Sequence, residues 1–519
     1  MEPRLTYHML QSAAKNHPDK TAILYKGTGT SYRELLDRAE KTAAFISSCG
    51  TLPGFRAGIL SDDPVEYISS YFGIQMAGGI SVGLNTQTTP RSLSYHIKDC
   101  QMDGLAVGKR FLRILKETFQ DVPTLKFMVA NSLEGFPSEK VNNSITFKDL
   151  WEYDSSSLEP PFRSSCDLAQ IIYTSGTTGK PKGVMLRHSN LLANTKSIVK
   201  YLGITGDDRV MAVLPFFYSY GNSIMLTHIY QGATLVVNQN MVYPNVILKE
   251  MENNEVTGFS GVPSTFAILL HRSNLHEFSF PKLRYITQAG APMSPALAIR
   301  LKEAFPGVNI YIMYGQTEAS ARLSYLPPPD LLKKAGSIGI PIPGVELTLL
   351  DESGEKVPVG QTGEIVARGE NIMAGYWNSP EETAKVLRPE GLRTGDLAWQ
   401  DDDGYFYIVS RKSDMIKSGS HRIAPKEIED VVMEHSEVSE AAVVGVEDEI
   451  LGEAIWLFVV LKPGSNCKLQ EIKKHCRRLL PAFKVPHKMV ITEALPKTAT
   501  GKIKKNDLKK QASERISNG

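Results

Sequence analysis

Short β-type runs alternate with helix-period segments from about residue 20 to residue 314, and this alternation restricts the fold more than any other feature of the chain. TAILYKG at 21–27 reads as a strand ending in a turn. YRELLDRAEKTAAFISS at 32–48 then places Leu35, Ala39, Ala43 and Ile46 at near-helical spacing. Strand, turn, helix and strand follow again in GILSDDPVEYISSYFGIQMAGGISVGLN, and the pattern returns through 211–270 and 283–314. A chain that re-enters a sheet through a helix lays its strands parallel and covers both faces. The expectation is therefore an α/β protein with doubly wound sheets in a large N-terminal domain.

The style changes after Tyr325. LPPPD, GSIGIPIPG and DESGEKVPVGQTGE are turn-rich and separate short β-type runs such as VELTLLD and GEIVARG, which predicts a β subdomain over about 326–411. Beyond YFYIVSRKSD, PKEIEDVVMEHSEVSEAAVVGV reads as helix then strand and LQEIKKHCRRLLPAF as helix, so 412–519 is expected to be a small α+β domain following an N-terminal domain of 1–411. The 58 basic and 56 acidic side chains leave +2, no global field for nucleic acid or an anionic membrane. Five cysteines without CxxC spacing indicate neither a disulfide framework nor a zinc site. No apolar leader opens the chain, and runs such as IWLFVVL are too short for a membrane span; a cytoplasmic setting is the expectation.

One loop carries chemistry. YTSGTTGKPKGVML at 173–186 combines hydroxyls, glycines and lysines between two β-type runs. Gly176 and Gly179 let backbone N–H groups approach an anion, Thr174, Ser175, Thr177 and Thr178 offer hydroxyl donors, and Lys180 and Lys182 supply point charge to a polyphosphate. The Walker pattern fails, because the glycine spacing is wrong and Pro181 and Gly183 lead into a strand-like VML instead of a helix. Such a composition could also make an ordinary polar hairpin.

The sequence YTSGTTGKPKGV is similar, almost letter for letter, to the signature of the adenylate-forming superfamily: acyl-CoA synthetases, aryl-CoA ligases, peptide-synthetase adenylation domains and firefly luciferase. Companion motifs follow in the family's order over roughly residues 20–505, and the resemblance is greatest to AMP-forming acyl- or aryl-CoA ligases. In YGQTE at 314–318, it implies that Tyr314 lies against adenine, that Gly315 and Gln316 complete the nucleotide turn, that Thr317 donates to the α-phosphate and that Glu318 holds Mg²⁺. In TGDLAWQDDDGYFYIVSRKSD, it implies that Asp396 accepts the ribose hydroxyls, that Arg411 contacts ribose and phosphate, and that Ile408 belongs to the nucleotide site. The resemblance also implies that Gly290 and Ala291 of QAGAPM at 288–293 lie beside the adenine, although a turn preceding a helix explains Gly290 nearly as well locally, and it puts Lys502 of PKTATGKIKK in the position of the catalytic lysine. Taken singly, YGQTE could be a helix cap, Asp396 a turn cap and the 497–510 lysines a solvated basic tail; the acidic run Asp401 to Asp403 reads as a solvated turn.

The implied reaction uses ATP, Mg²⁺ and coenzyme A. A carboxylate, ionised at neutral pH, attacks the α-phosphorus to give an acyl-adenylate and pyrophosphate, and a thiol then takes the acyl group from AMP. The resemblance further implies that the C-terminal domain rotates about a hinge near Ser413 and presents Ser418, Gly419 and Ser420 to a thiol tunnel. Two positions depart from the family pattern. Ser413 stands where Asp or Lys is usual, and Tyr218 stands where many relatives place a histidine gating the tunnel. Amino-acid-activating relatives usually place an Asp there, so Tyr218 argues against an α-amino acid. Tyr218, Tyr220, Asn222, Phe259 and Met313 are candidate walls for an aryl or medium aliphatic acid, with simple core packing the alternative for each. Arg322 either meets a second carboxylate or, as the more ordinary role, makes a structural ion pair. Other functions compatible with these motifs are an acyl-AMP ligase that loads a carrier protein and a non-catalytic nucleotide-binding protein.

Overall fold

The helix Tyr32–Ser48 illustrates how local sequence sets the elements. Ser31 accepts from the Glu34 N–H at 3.2 Å, and the Glu34 carboxylate returns to the Ser31 N–H at 2.7 Å, satisfying two donors at the helix start. Its apolar stripe buries Leu35, Ala39, Ala43 and Ile46. In the computed structural model, which describes residues 3–136, 138–174, 181–419, 421–498 and 503–517, such helices cover two large sheets.

Among the described residues the strands form four sheets. A nine-stranded sheet has a parallel centre made of Thr21–Tyr25, Thr234–Val237, Arg209–Ala212, Gly258–Gly261, Tyr285–Gln288 and Asn309–Tyr314, with antiparallel strands at both edges. An eight-stranded sheet is parallel from Leu168–Thr174 through Ile80–Gly83, Arg56–Leu60, Gly104–Val107 and Leu125–Ala130 to Val141–Thr146. The helix Pro64–Met76 touches strands of both sheets and is buried on nearly every side, as its largely uncharged sequence, with one Glu, permits. This is the expected doubly wound α/β architecture.

The strand Leu168–Thr174 pairs antiparallel with Lys182–Arg187, bringing Thr174 opposite Lys182. The hydroxyl-rich loop therefore connects strand to strand, although Ser175, Gly176, Thr177, Thr178, Gly179 and Lys180 themselves lie outside the described residues. A five-stranded antiparallel sheet spans Val345–Leu350 to Phe406–Arg411. Its Asp401–Asp403 turn is more than the solvated run expected: Lys334 reaches across from another segment to both Asp401 and Asp403.

The last sheet is built on the long hairpin of Val438–Asp448 and Gly452–Leu461. One face packs on the helices Pro425–Met433 and Leu469–Leu479 through Ile428, Val432, Ile472 and Cys476; the other is covered by Leu508 and Ala512 of Lys505–Ser517. No helix among the described residues is long and apolar enough to cross a membrane.

Candidate active site

The candidate residues gather where parallel strands end. Tyr314 closes the strand Asn309–Tyr314, Gly290 and Ala291 follow Tyr285–Gln288, and Tyr218 lies in the segment after Arg209–Ala212. In open α/β sheets the carboxyl ends of parallel strands leave the crevice in which ligands bind.

Asp396 and Arg411 face one another directly across the antiparallel strands Gly391–Gln400 and Phe406–Arg411. Arg411 Nε donates to Asp396 Oδ1 at 3.0 Å, and the Tyr314 hydroxyl donates to Asp396 Oδ2 at 2.7 Å. The carboxylate is almost fully enclosed, at 4 % exposure. Each of its oxygens retains a lone pair beyond these two bonds, enough for a pair of ribose hydroxyls. Asp396 also raises the Arg411 guanidinium further above its ordinary range, and burial together with this carboxylate holds the Tyr314 phenol protonated. Ile408 lies on the same strand as Arg411, partly buried.

Glu318 sits in the short helical turn Thr317–Ala319. Its Oε1 accepts from the Tyr376 hydroxyl at 2.8 Å, and Oε2 has no hydrogen-bond donor among the described residues. Burial, with Glu318 beside it, pushes the Tyr376 phenol up and keeps it a donor. The Lys182 ammonium lies 5.2 Å from the centre of the same tyrosine ring and is paired with Glu382 at 2.5 Å. Hydrogen bonds from Lys182 and Lys385 lower the Glu382 carboxyl to about 2. Lys182, Tyr376 and Glu318 thus form one polar group and Arg411, Asp396 and Tyr314 another, with Glu318 close enough to Arg411 to favour its charge. Tyr376, from the turn-rich stretch after Asn371, and Glu382 escape the sequence analysis. A Gly-Tyr-Trp run in an otherwise polar turn was the available signal for Tyr376; nothing local marks Glu382.

Gly315 has room for no side chain: a Cβ there would stand 2.2 Å from the Ala321 carbonyl oxygen. The turn is closed by Gln316, whose carbonyl accepts from the Ala319 and Ala321 N–H groups. The Thr317 hydroxyl donates to Ser219 Oγ at 3.2 Å, linking this turn to the start of helix Ser219–Gln231. Tyr218 caps the N-terminal end of that helix. A Cβ on Gly290 would lie 3.0 Å from its hydroxyl oxygen, a tight contact, and Gly290 has φ +89°, so glycine is favoured there by backbone conformation. The adjoining Ala291 carbonyl accepts from Gln288 Nε2 at 2.7 Å.

The other candidate walls lie deeper. Tyr220 is buried, and its hydroxyl bonds the Thr287 carbonyl at 2.9 Å. Asn222 Nδ2 donates to Gln170 Oε1 at 3.0 Å, while Asn222 Oδ1 is buried with no partner among the described residues. Phe259 is wholly enclosed with its ring edge-on to Phe266, and the Met313 sulfur accepts from the Tyr201 hydroxyl at 3.0 Å. Arg322 is buried beside them, and no described carboxylate pairs with it; the ion pair that an arginine there would ordinarily make is absent.

On the C-terminal side, Ser413, two residues after Arg411, is exposed and bonds its neighbour Asp414 at 3.1 Å. Ser418 is buried at the end of strand Ile416–Ser418, and Gly419, at φ +58°, donates to the Leu451 carbonyl at 2.7 Å with open space where a Cβ would stand. Ser420 and Lys502 lie outside the described residues.

The family profile described as AMP-binding enzyme matches residues 10–377, and that described as AMP-binding enzyme C-terminal domain matches 427–502. The chain is 32% identical to a long-chain-fatty-acid CoA ligase of Bacillus subtilis (strain 168), over 98% of this chain and 94% of that protein. It is also 32% identical to a feruloyl-CoA synthase of an Amycolatopsis species, covering 96% and 97%. Among solved structures it resembles an anthranilate CoA ligase in complex with anthranoyl-AMP, with a TM-score of 0.90, 29% identity and 98% of each chain covered. An o-succinylbenzoate coenzyme A synthetase from Bacillus subtilis, in complex with ATP and magnesium ion, superposes with a TM-score of 0.83 at 27% identity, covering 96% and 99%.

Proposed function

This chain belongs to the AMP-binding enzyme family and is an AMP-forming acyl-CoA synthetase acting on ATP, CoA and a small-molecule acid, and from that premise we propose which residues divide the work and which acids are taken. The hydrogen-bonded trio Arg411–Asp396–Tyr314, with the group Lys182–Tyr376–Glu318, is the observation that supports this division most directly.

Asp396 receives the ribose, Tyr314 and the Gly290–Ala291 backbone flank the base, and Arg411 bridges ribose and phosphate. Lys182, with the hydroxyls and Lys180 of the 174–180 loop, screens the polyphosphate. Glu318 suits a single-carboxylate Mg²⁺ site. Its Oε2 is uncommitted, no group of three metal-binding side chains occurs among the described residues, and Mg²⁺ commonly takes one or two carboxylates with substrate phosphates completing its shell. When bound, the ion neutralises charge on the phosphates. The acid needs no general base, since it is ionised at neutral pH; what it needs is cancellation of anion–anion repulsion, which Lys182, Thr317 and Arg411 supply, with Lys502 joining them for the adenylation step. Domain rotation about Ser413 then exchanges Lys502 for the Ser418–Ser420 segment and keeps water from the adenylate.

The acid is an aryl or medium aliphatic carboxylate, its body lying against Tyr218 and the apolar side chains behind it. Tyr218 brings bulk and a hydroxyl to the space beside Gly290 and no charge for an α-amine. Incubation of the enzyme with ATP, Mg²⁺, CoA and a panel of acids, with mass spectrometry of the thioester, tests this reading. Aryl and medium-chain acids are expected to give acyl-CoA and AMP. Turnover confined to α-amino acids would contradict the acid assignment, and pyrophosphate release without acyl-CoA would point to a carrier-protein thiol as acceptor.

A further inference from the structure

Arg322 is only 3 % exposed, yet its charge has no carboxylate partner among the described residues. The guanidinium lies 4.2 Å from the centre of the Tyr220 ring, Nε donates to the Met313 sulfur at 3.3 Å, and Nη1 donates to the Ala321 carbonyl at 3.1 Å. A guanidinium carries five N–H donors; one weak sulfur acceptor, one carbonyl, the Tyr201 hydroxyl and a ring face still leave it short of acceptors and uncompensated in charge. A buried charge in that state is costly to keep unless something completes its shell.

The surrounding backbone is arranged to hold it there. Ser320 and Ala321, immediately before Arg322, both take left-handed conformations, with φ +54° and +103°, in which side-chain-bearing residues are strained. Asn371 Nδ2 pins the segment by donating to the carbonyls of Ala319 and Arg322 at 3.1 and 2.8 Å, and Asn194 Nδ2 adds a third bond to Arg322 at 3.3 Å. The partners of the guanidinium belong to the segments that build the acid site. Tyr220 is two residues from Tyr218 and adjacent to Ser219, which bonds Thr317, and the Tyr220 hydroxyl is tied to Thr287 just before the Gln288–Ala291 turn. Met313 directly precedes Tyr314.

We infer that Arg322 is the anchor for a second carboxylate, and hence that the preferred substrate is a dicarboxylic acid whose reacting carboxylate meets Thr317 while its distal carboxylate meets the buried guanidinium. The inference rests on the acid-activating role proposed for this site and narrows it. A planar fork of donors matches a carboxylate bidentately, and an apolar floor of Tyr220 and Met313 penalises any other polar group that leaves the fork unfilled.

The test uses the full chain with ATP, Mg²⁺ and CoA and three acids of equal length: an α,ω-dicarboxylic acid, its half-amide and the monoacid, with aryl counterparts as a parallel set. In the wild type, kcat/KM for the dicarboxylic acid is expected to exceed that for the half-amide and the monoacid by at least about 100-fold in one of the two sets, the scale on which sites built for a polar group reject analogues lacking it. Arg322→Met is expected to erase or invert that ratio, and Arg322→Lys to leave it intermediate. A wild-type ratio near or below one while monoacids turn over would overturn the inference and leave the ligase reading standing. A ratio unchanged in a folded Arg322→Met protein would do the same. Absence of acid-dependent pyrophosphate release across both sets would defeat the ligase reading and the inference with it. The wild-type ratio needs no variant to fold.

Discussion

Glu382 holds the lysine that the sequence assigns to phosphate. Lys182 is paired with it, and the carboxyl is lowered to about 2 by Lys182 and Lys385. Because its folded pKa is depressed, this pairing is fully present above the ordinary carboxylate range near 4.5 and is lost only as pH falls toward about 2; it persists throughout any assay near neutrality. On the proposed role of Lys182, ATP competes for the same ammonium. Glu382→Gln is therefore expected to lower the KM for ATP by about two- to five-fold, the scale of a partly exposed ion pair. A raised KM would instead make Glu382 a residue that positions Lys182 on the nucleotide. Asp396 is the opposite case, an enclosed carboxylate with two protein donors and acceptor capacity to spare. Asp396→Asn removes the charged acceptor from Arg411 and from the ribose proposed to bind there, and the expected loss is about 10- to 100-fold in KM for ATP, measured by pyrophosphate release.

Elements decide how much of this is legible in a sequence. The period of Leu35, Ala39, Ala43 and Ile46 is set by burial of one helix face, so it predicts both the helix and its buried stripe. The YGQTE turn is legible for a related reason: strand, tight glycine and short helical turn are contiguous in the chain. The supporting contacts are not contiguous. Tyr376 reaches Glu318 from 58 residues away, Glu382 reaches Lys182 from 200, and Ser219 meets Thr317 across 98; no local pattern contains such pairs. The want of a described carboxylate beside Arg322 is equally invisible in sequence, since only packing shows which described side chains reach it. Within the turn itself, Gly315→Ala would drive a methyl against the Ala321 carbonyl, displacing the strand end that carries Tyr314 and the turn that carries Glu318. Destabilisation of about 1–3 kcal/mol in chemical denaturation, with a larger proportional loss of adenylation, is the expected outcome.

At the scale of the whole molecule, two buried histidines tie stability to pH. His228 lies between the Ile224 carbonyl and the Tyr285 hydroxyl, each at 2.8 Å, and burial lowers it to about 4; His188, bonded to Thr6, is lowered to about 3. Both are neutral in the fold and take up protons more readily once unfolded. Their contribution is complete above pH 6.5 and is lost as pH falls from there through the folded values, at up to about 1.4 kcal/mol per pH unit for each. His228→Gln is expected to flatten that acid slope between about pH 6 and pH 4 in denaturation measured across pH; an unchanged slope would remove His228 from the account. The proposed exchange of C-terminal segments would divide the two half-reactions across the molecule. Lys502→Ala is expected to suppress adenylation while leaving thiol transfer from a supplied acyl-adenylate largely intact, and equal loss in both would contradict an exchange of C-terminal segments between the steps.

The central claim, that one carboxylate oxygen is joined to the α-phosphorus before the thiol arrives, is open to direct measurement. The wild-type enzyme, given ATP, CoA and an accepted acid bearing ¹⁸O on both carboxylate oxygens, is predicted to deliver one labelled oxygen to AMP and retain the other in the thioester, with unlabelled pyrophosphate. Acyl-CoA formed with unlabelled AMP, or with the label in a phosphate released from the γ-position, would contradict it.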